Sequence, residues 1–383
     1  MNKEERIMTA LRREEPDVVP THVLAIDANN VDKILGKPPQ TDFEMVEEFK
    51  KSYPKTYVEE LNKIIPLIET TIFSRMMKAA AKIGFDACQI GIIPLRFKSE
   101  HEFTDIFGRI WVVQNNEGNF FPFYRGGQIT SKEKWEKWPK PDPKDYVKTA
   151  KEFYKSILKE LKGEEIVPVV TNDFAGVFES TWQGMGLIFF SKMLILEPKF
   201  IKQVAELYTD FAIAINDAFM DVGAKIIVES GDIAYKQQPM INPKTFEQIF
   251  QPCYKRITDA VHARKGISIL HTDGFVEPFL DMTINAGFDG LHSLEPTAGV
   301  DLERVKKKVG NKLALLGNID IAHVLSKGTK EDVENDVKRA IRQAGKGGGF
   351  IISPTNMHPG VRPENLRWMV EATQKYGKYP LHV

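Results

Sequence analysis

The sequence predicts a single α/β domain, a (β/α)8 barrel. Eight short apolar runs are spread along 383 residues, amphipathic segments separate them, and no glycine-rich turn follows the first run. Runs of about four to eight apolar residues fit strands buried on both faces. Strand–helix alternation implies a parallel sheet. A doubly wound sheet would normally carry a phosphate-binding glycine turn after its first strand. Here the first strand runs into AIDANN.

The eight predicted strands are 19–26, 85–92, 166–171, 224–229, 267–271, 288–292, 313–317 and 350–353. Helical patterns lie at 44–49 onward, 67–82, 146–161, 198–222, 243–263, 276–286, 302–309, 330–344 and 363–376. Pro198 and Pro243 open two of them, and proline suits a first helical turn. Residues 103–123 have period-two apolar residues around Asn-Asn-Glu-Gly, which predicts a β-hairpin inserted after the second barrel strand. Residues 135–142, WEKWPKPD, read as a proline-broken surface linker. Gly345-Lys346-Gly347-Gly348-Gly349 precedes a strand rather than a helix, so it reads as a helix C-cap and tight strand entry, not a phosphate loop. The amino-terminal MNKEERIMTALRR reads as a helical extension.

Composition narrows the function classes. Lys plus Arg and Asp plus Glu both number 52, a balance that argues against a nucleic-acid or anionic-membrane binder. Cys88 and Cys253 are too few for a disulfide scaffold or cysteine-rich zinc module and read as packed thiols. The amino terminus lacks the apolar core of a signal peptide, and no apolar run is long enough to span a membrane. A cytoplasmic protein is expected, and a homodimer is a reasonable expectation for such an enzyme.

In a (β/α)8 barrel the active site lies at the strand carboxyl ends. The strands end, in order, near Asp27, on Gln89, on Thr171-Asn172-Asp173, on Glu229 and Asp232, on His271 and Asp273, on His292 and Glu295, on Asn318 and Asp320, and on Asn356. Crowded carboxylates repel unless a cation or proton lies between them. Glu229, Asp232, His271 and Asp273 therefore form a candidate divalent-metal site, with zinc suited to imidazole and carboxylate donors. The alternative is that Asp232 and Asp273 only cap turns, Asp273-Gly274 being a common turn pair. His292 and His323 read as structural histidines. Phe174, Phe178, Trp182, Tyr235 and Phe275 lie just beyond strand ends, where some would line an apolar pocket and others join the core.

The motifs GDIAYKQQPMINPKTFEQIFQPCYKRI, ILHTDG, AGFDGLHSLEPTAGVDL, LLGNID and GGGFIISPTN, in that order, resemble the uroporphyrinogen decarboxylase-like superfamily, as does the opening MNKEERIMTALRREEPDVVP. The resemblance implies a (β/α)8 barrel and two branches of activity. The decarboxylase branch acts on a tetrapyrrole without cofactor and carries an arginine-rich MRQAGR-like motif after its first strand. The corresponding VLAIDANNVDKIL has no arginine to hold substrate carboxylates. The other branch comprises zinc-containing, cobalamin-dependent methyltransferases that exchange a methyl group with a corrinoid on a partner protein. Relatives that methylate coenzyme M carry His-x-Cys near the fifth strand and a further Cys after the last. This chain has His271-Thr272-Asp273 and Asn356 instead.

Thiolates suit activation of a thiol, whereas carboxylate and imidazole suit a Lewis acid gripping an ether or phenol oxygen. The resemblance, read with that donor set, therefore implies an O-demethylase methyltransferase. It would move a methyl group from a methoxylated aromatic compound to cob(I)alamin on a partner corrinoid protein docked over the strand carboxyl ends. His271, Asp232 and Tyr235 would be catalytic, and Asn172, Phe174, Phe178, Trp182, Glu295 and Asn356 would hold substrate. Cofactor-free decarboxylation, another methyl donor and a non-catalytic barrel subunit are the alternatives.

Overall fold

The computed structural model describes residues 1–37, 42–92, 94–116, 119–171 and 176–383. The strands are β1 (His22–Val23), β2 (Ala87–Gly91), β3 (Leu95–Ser99), β4 (Glu102–Asp105), β5 (Arg109–Asn116), β6 (Asn119–Gly127), β7 (Val167–Thr171), β8 (Ile226–Ser230), β9 (Ile267–Thr272), β10 (Gly290–Ser293), β11 (Ala314–Ile319) and β12 (Phe350–Pro354). Eight of them form one parallel sheet in the order β1-β2-β7-β8-β9-β10-β11-β12. A parallel bridge between Thr21 and Ile352 brings its two edges together, with the Ile352 N–H donating to the Pro20 carbonyl at 2.9 Å. All eight barrel strands coincide with an expected run.

β1 is the shortest, two residues where eight were expected. Pro20 has no N–H for a ladder, and the Val19 N–H turns instead to the Gly377 carbonyl at 2.8 Å. The carboxyl-terminal tail thus takes hydrogen bonds that a longer first strand would have made.

Side chains alternate across each strand, and the barrel sorts them into two cores. Val23, Cys88, Ile90, Val170, Ile227, Leu270, Leu291, Leu315 and Ile352 face the surrounding helices. Ala87, Val169, Ile226, Val228, Ile269, Ala314, Leu316 and Ile351 face inward and pack against Ile7, Ala10 and Leu11 of the helix Lys3–Leu11. The charged amino terminus is therefore a plug for the lower barrel. Burying Ile7 and Leu11 contributes about 2 kcal/mol each. A reciprocal Asn2–Glu5 capping box starts this helix. Arg6 anchors it to Asp17 at 2.8 Å and Asp86 at 2.6 Å. Gly348, at φ +72°, lets the last turn before β12 pass under the same segment, where a Cβ would lie 2.2 Å from Glu14 backbone.

The expected hairpin at 103–123 is the second half of a larger insertion. β3 to β6 form a four-stranded antiparallel sheet, of which β3, an alternating LRFKS, was not anticipated. Arg109, 1% exposed, pins this sheet to the barrel. Its Nε donates to Asp105 at 2.5 Å and a terminal nitrogen donates to Gln183 at 3.2 Å, while Phe107 and Trp111 flank the guanidinium.

Two other expectations need correction. The segment read as a surface linker begins inside the helix Lys132–Lys137, and Trp135 is buried against Phe200 and Tyr208. Two helices, Val177–Met185 and Leu187–Leu196, follow β7 where none was expected. LIFFSKMLIL is apolar nearly all round, so it gives no helical period. Among the described residues, no helix is long and apolar enough to cross a membrane.

Candidate metal site at the barrel mouth

Above the apolar plug, the next inward positions are polar: His22, Gln89, Thr171, Ser230, His271, His292 and Ser353 are all buried. They share the inward phase of Ala87, Val169, Ile226, Val228, Ile269, Leu316 and Ile351. The loops leaving β8 and β9 complete this tier. Ligand atoms of Asp232, His271 and Asp273 lie within 4.8 Å of one another.

The positions of the two aspartates are set by local geometry. Asp232 accepts from the Asp273 backbone N–H at 2.8 Å. Gly274 follows at φ +83°, and a Cβ there would lie 2.7 Å from the Ala234 carbonyl oxygen. The chain bends at Asp273-Gly274, and the Asp273 carboxylate joins Asp232 and His271 in the cluster. Asn356 donates its amide to Asp273 Oδ2. Asp273 Oδ1 is buried without a hydrogen-bond partner. Burial first, and the Asp232 charge second, push the Asp273 carboxyl up to about 6.

These features fit a bound cation. An orphaned buried carboxylate oxygen beside a second carboxylate costs free energy that a divalent ion would offset. One imidazole and two carboxylates form a hard, open donor set.

Other expected site residues divide. Glu229 does not join the cluster. It alternates with the inward Val228 and Ser230, so it points outward from β8, fully buried, and accepts from the Val177 N–H at 3.0 Å. Its carboxylate serves the amino end of the helix Val177–Met185. Phe178 is also corrected: it is fully buried among Phe190, Phe246 and Phe250 and forms core, not pocket wall. Trp182 is partly buried against Tyr124 of the inserted sheet, and its indole Nε1 is buried without a partner. Tyr235 sits on the loop after β8 and is 49% exposed. Glu295 accepts from the Gly274 N–H at 3.1 Å and from the Thr297 hydroxyl, so it braces the Asp273 turn. Asn172 and Phe174 lie outside the described residues.

Three buried polar residues, His292, Ser353 and His22, connect to the cluster in a way the sequence motifs did not signal. His271 Nδ1 lies 2.7 Å from His292 Nδ1. His292 Nε2 and His22 Nδ1 both reach Ser353 Oγ, at 2.9 and 3.1 Å. Their shared inward phase was the available signal. His323 behaves as expected, capping a turn with Asp320 at 2.9 Å. Cys88 and Cys253 are buried, and burial pushes both thiols up.

The uroporphyrinogen decarboxylase (URO-D) family model matches residues 116–376. The chain belongs to the uroporphyrinogen decarboxylase family. Relatives of this URO-D-family chain carry two activities in their names. A methylcobamide:CoM methyltransferase from Methanosarcina barkeri is 28% identical over 188 residues, covering 49% of this chain and 52% of the relative. The chain thus spans about half the length of that relative. A uroporphyrinogen decarboxylase from Pseudoalteromonas atlantica is 24% identical over 315 residues, covering 76% of this chain and 82% of the relative. A solved methyltransferase from Methanosarcina mazei superposes with a TM-score of 0.73 at 18% identity, covering 98% and 99% of the two chains, which supports the barrel fold.

Proposed function

We propose that this URO-D-family protein is a corrinoid-protein-dependent methyltransferase of the O-demethylase type, transferring a methyl group from a methoxylated aromatic compound to cob(I)alamin on a partner protein. The observation that carries the reading is the convergence of Asp232, His271 and Asp273 at the barrel mouth. The similarity to a methylcobamide:CoM methyltransferase supports the same branch. The donor set contains no thiol, which favours an oxygen over a sulfur as the polarised atom.

Asp232, His271 and Asp273 would hold zinc. When bound, the ion supplies Lewis acidity, stabilising negative charge that develops on the leaving phenol oxygen. The chain's own residues do the remaining work. Asn356 and the Asp273 N–H contact to Asp232 hold the carboxylates in register. Glu295 fixes the turn that delivers Asp273. Tyr235, on the exposed rim, would meet substrate or the docked corrinoid protein, and Trp182 would offer its indole N–H and ring face. A corrinoid supplied by a partner protein would accept the methyl group, and the open barrel mouth above Asp232, His271 and Asp273 would leave the substrate accessible to it.

The test is a reconstituted assay with a reduced corrinoid protein and a panel of methoxylated aromatics, methanol, methylamines and methylthiols. The expected result is conversion of the cob(I)alamin spectrum to that of methylcob(III)alamin with aryl ethers, abolished by His271→Ala. Full activity in metal-stripped protein would overturn the metal role. The longer match to uroporphyrinogen decarboxylases favours cofactor-free decarboxylation as a second reading. Against it, the segment after β1 carries Asp27, which caps the helix Ala28–Leu35, where the resemblance would place arginine. Incubation with uroporphyrinogen and chromatography of the porphyrin products decides between them.

A further inference from the structure

Four buried side chains from four strands form one hydrogen-bonded chain inside the barrel. His271 on β9 meets His292 on β10, Nδ1 to Nδ1, at 2.7 Å. His292 Nε2 lies 2.9 Å from Ser353 Oγ on β12. His22 Nδ1 on β1 lies 3.1 Å from the same hydroxyl. Ser353 Oγ in turn donates to the Pro354 carbonyl at 2.9 Å.

Counting protons along this chain fixes every tautomer. A serine hydroxyl has one hydrogen, and a carbonyl oxygen can only accept. The Ser353 proton is therefore committed to Pro354, and the hydroxyl must accept from both imidazoles. That places hydrogens on His292 Nε2 and His22 Nδ1. His292 is 1% exposed and its two ring nitrogens meet an imidazole and a hydroxyl rather than a carboxylate, so it carries a single N–H, already placed on Nε2, and its Nδ1 keeps a lone pair. The short contact between the two Nδ1 atoms then needs its one hydrogen from His271. With the proton on Nδ1, His271 Nε2 carries a lone pair.

We propose that Ser353 and His292 are positioning residues that fix His271 in the Nδ1–H tautomer, presenting the Nε2 lone pair to the Asp232–Asp273 pair. A backbone carbonyl on β12 thereby decides, through a hydroxyl and a second imidazole, which nitrogen of His271 is free to coordinate. Histidine ligands usually donate their second N–H to a carboxylate, carbonyl or water. A neutral histidine acceptor here adds no charge to a mouth that already holds two carboxylates. The consequence for metal binding rests on the metal reading above; the tautomer assignment does not.

The experiment is long-range ¹H–¹⁵N correlation spectroscopy of ¹⁵N-histidine-labelled, chelator-treated full-length protein at neutral pH, with cobalt(II) titration of the same samples. Expected for the unaltered protein are a protonated Nδ1 and an unprotonated Nε2 on His271, with the reverse on His292. Ser353→Ala should move the His271 nitrogen shifts toward a tautomer mixture and weaken cobalt binding by about 10-fold or more. Ser353→Thr, which keeps the hydroxyl, should restore both. His292→Asn, whose amide oxygen can replace Nδ1 as acceptor, should retain the His271 tautomer, and His292→Phe should lose it. Protonated Nε2 on His271 in the unaltered protein would overturn the proposal, and this measurement needs no variant to fold. So would unchanged His271 shifts in Ser353→Ala. Correct tautomers with no cobalt uptake in any sample would uphold the positioning role and refute the metal reading instead.

Discussion

The backbone N–H of Asp273 donates to the Asp232 carboxylate at 2.8 Å, tying together the two loops that leave β8 and β9. The bond holds two acids side by side at the mouth, with His271 completing the group. Asp232→Asn, Asp273→Asn and His271→Ala should each lower zinc affinity by roughly 100-fold. Chelator competition and elemental analysis of the purified protein check this. Undiminished zinc content in all three would remove the site.

Glu229 supplies the contrasting control. Its carboxylate accepts from the Val177 N–H on the outer side of β8. Glu229→Ala should leave zinc content unchanged while reducing unfolding free energy by about 2 kcal/mol, because a buried helix-end N–H loses its partner. Urea denaturation alongside metal analysis reads both. Loss of zinc together with retained stability would return Glu229 to the ligand set.

Arg109 and Asp105 hold the inserted sheet as a buried ion pair. Arg109→Met should destabilise the protein by about 3–5 kcal/mol, since Asp105 then keeps an uncompensated buried charge. Adding Asp105→Leu should recover part of that loss. Thermal melts of the single and double variants test the coupling, and simple additivity of the two effects would refute it.

Acid should weaken the fold in a defined window. Burial, with His271 a lesser influence, depresses His22 to about 3 from its ordinary 6.5. Between those values the unfolded chain binds more protons than the folded one, so stability falls as pH drops from 6.5 toward 3. At pH 5 the His22 contribution is a loss on the order of 2 kcal/mol. His292 shifts the same way. Metal-free Asp273, pushed up to about 6, acts in the opposite sense, becoming less costly as pH falls through that value. The difference between the unaltered protein and His22→Gln therefore isolates the effect. Urea midpoints at pH 7.5, 6 and 5 should converge for the two proteins as pH falls, and parallel curves would refute it.

Much of the barrel was legible because buried parallel strands announce themselves as short apolar runs. All eight fell where expected, as did the helices Leu302–Val309, Lys330–Ala344 and Pro363–Tyr376. Legibility failed where a local signal was missing. Leu187–Leu196 is apolar nearly all round and has no period. Trp135 looked like linker because nearby prolines hid the one turn that buries it.

Residue type and strand-end position were enough to single out Asp232, His271 and Asp273, which the structure brings together. They were not enough to exclude Glu229 or to recruit His292, although strand phase carries both facts: Glu229 alternates with the inward Val228 and Ser230, while His292 and Ser353 share the inward phase of His271. Phe178 could not be separated from a pocket residue by position alone, since three aromatics distant in sequence bury it.

The sequence by itself determined the eight-fold alternation, the acid-rich strand ends and the shortage of thiols, because each is a property of composition or local period. Tertiary structure alone decided which polar groups meet. Contacts such as His22 to Ser353 or Asn356 to Asp273 join residues hundreds or scores of positions apart. They exist because barrel closure sets β1 beside β12 and turns every second side chain toward a common axis, where distance along the chain no longer matters.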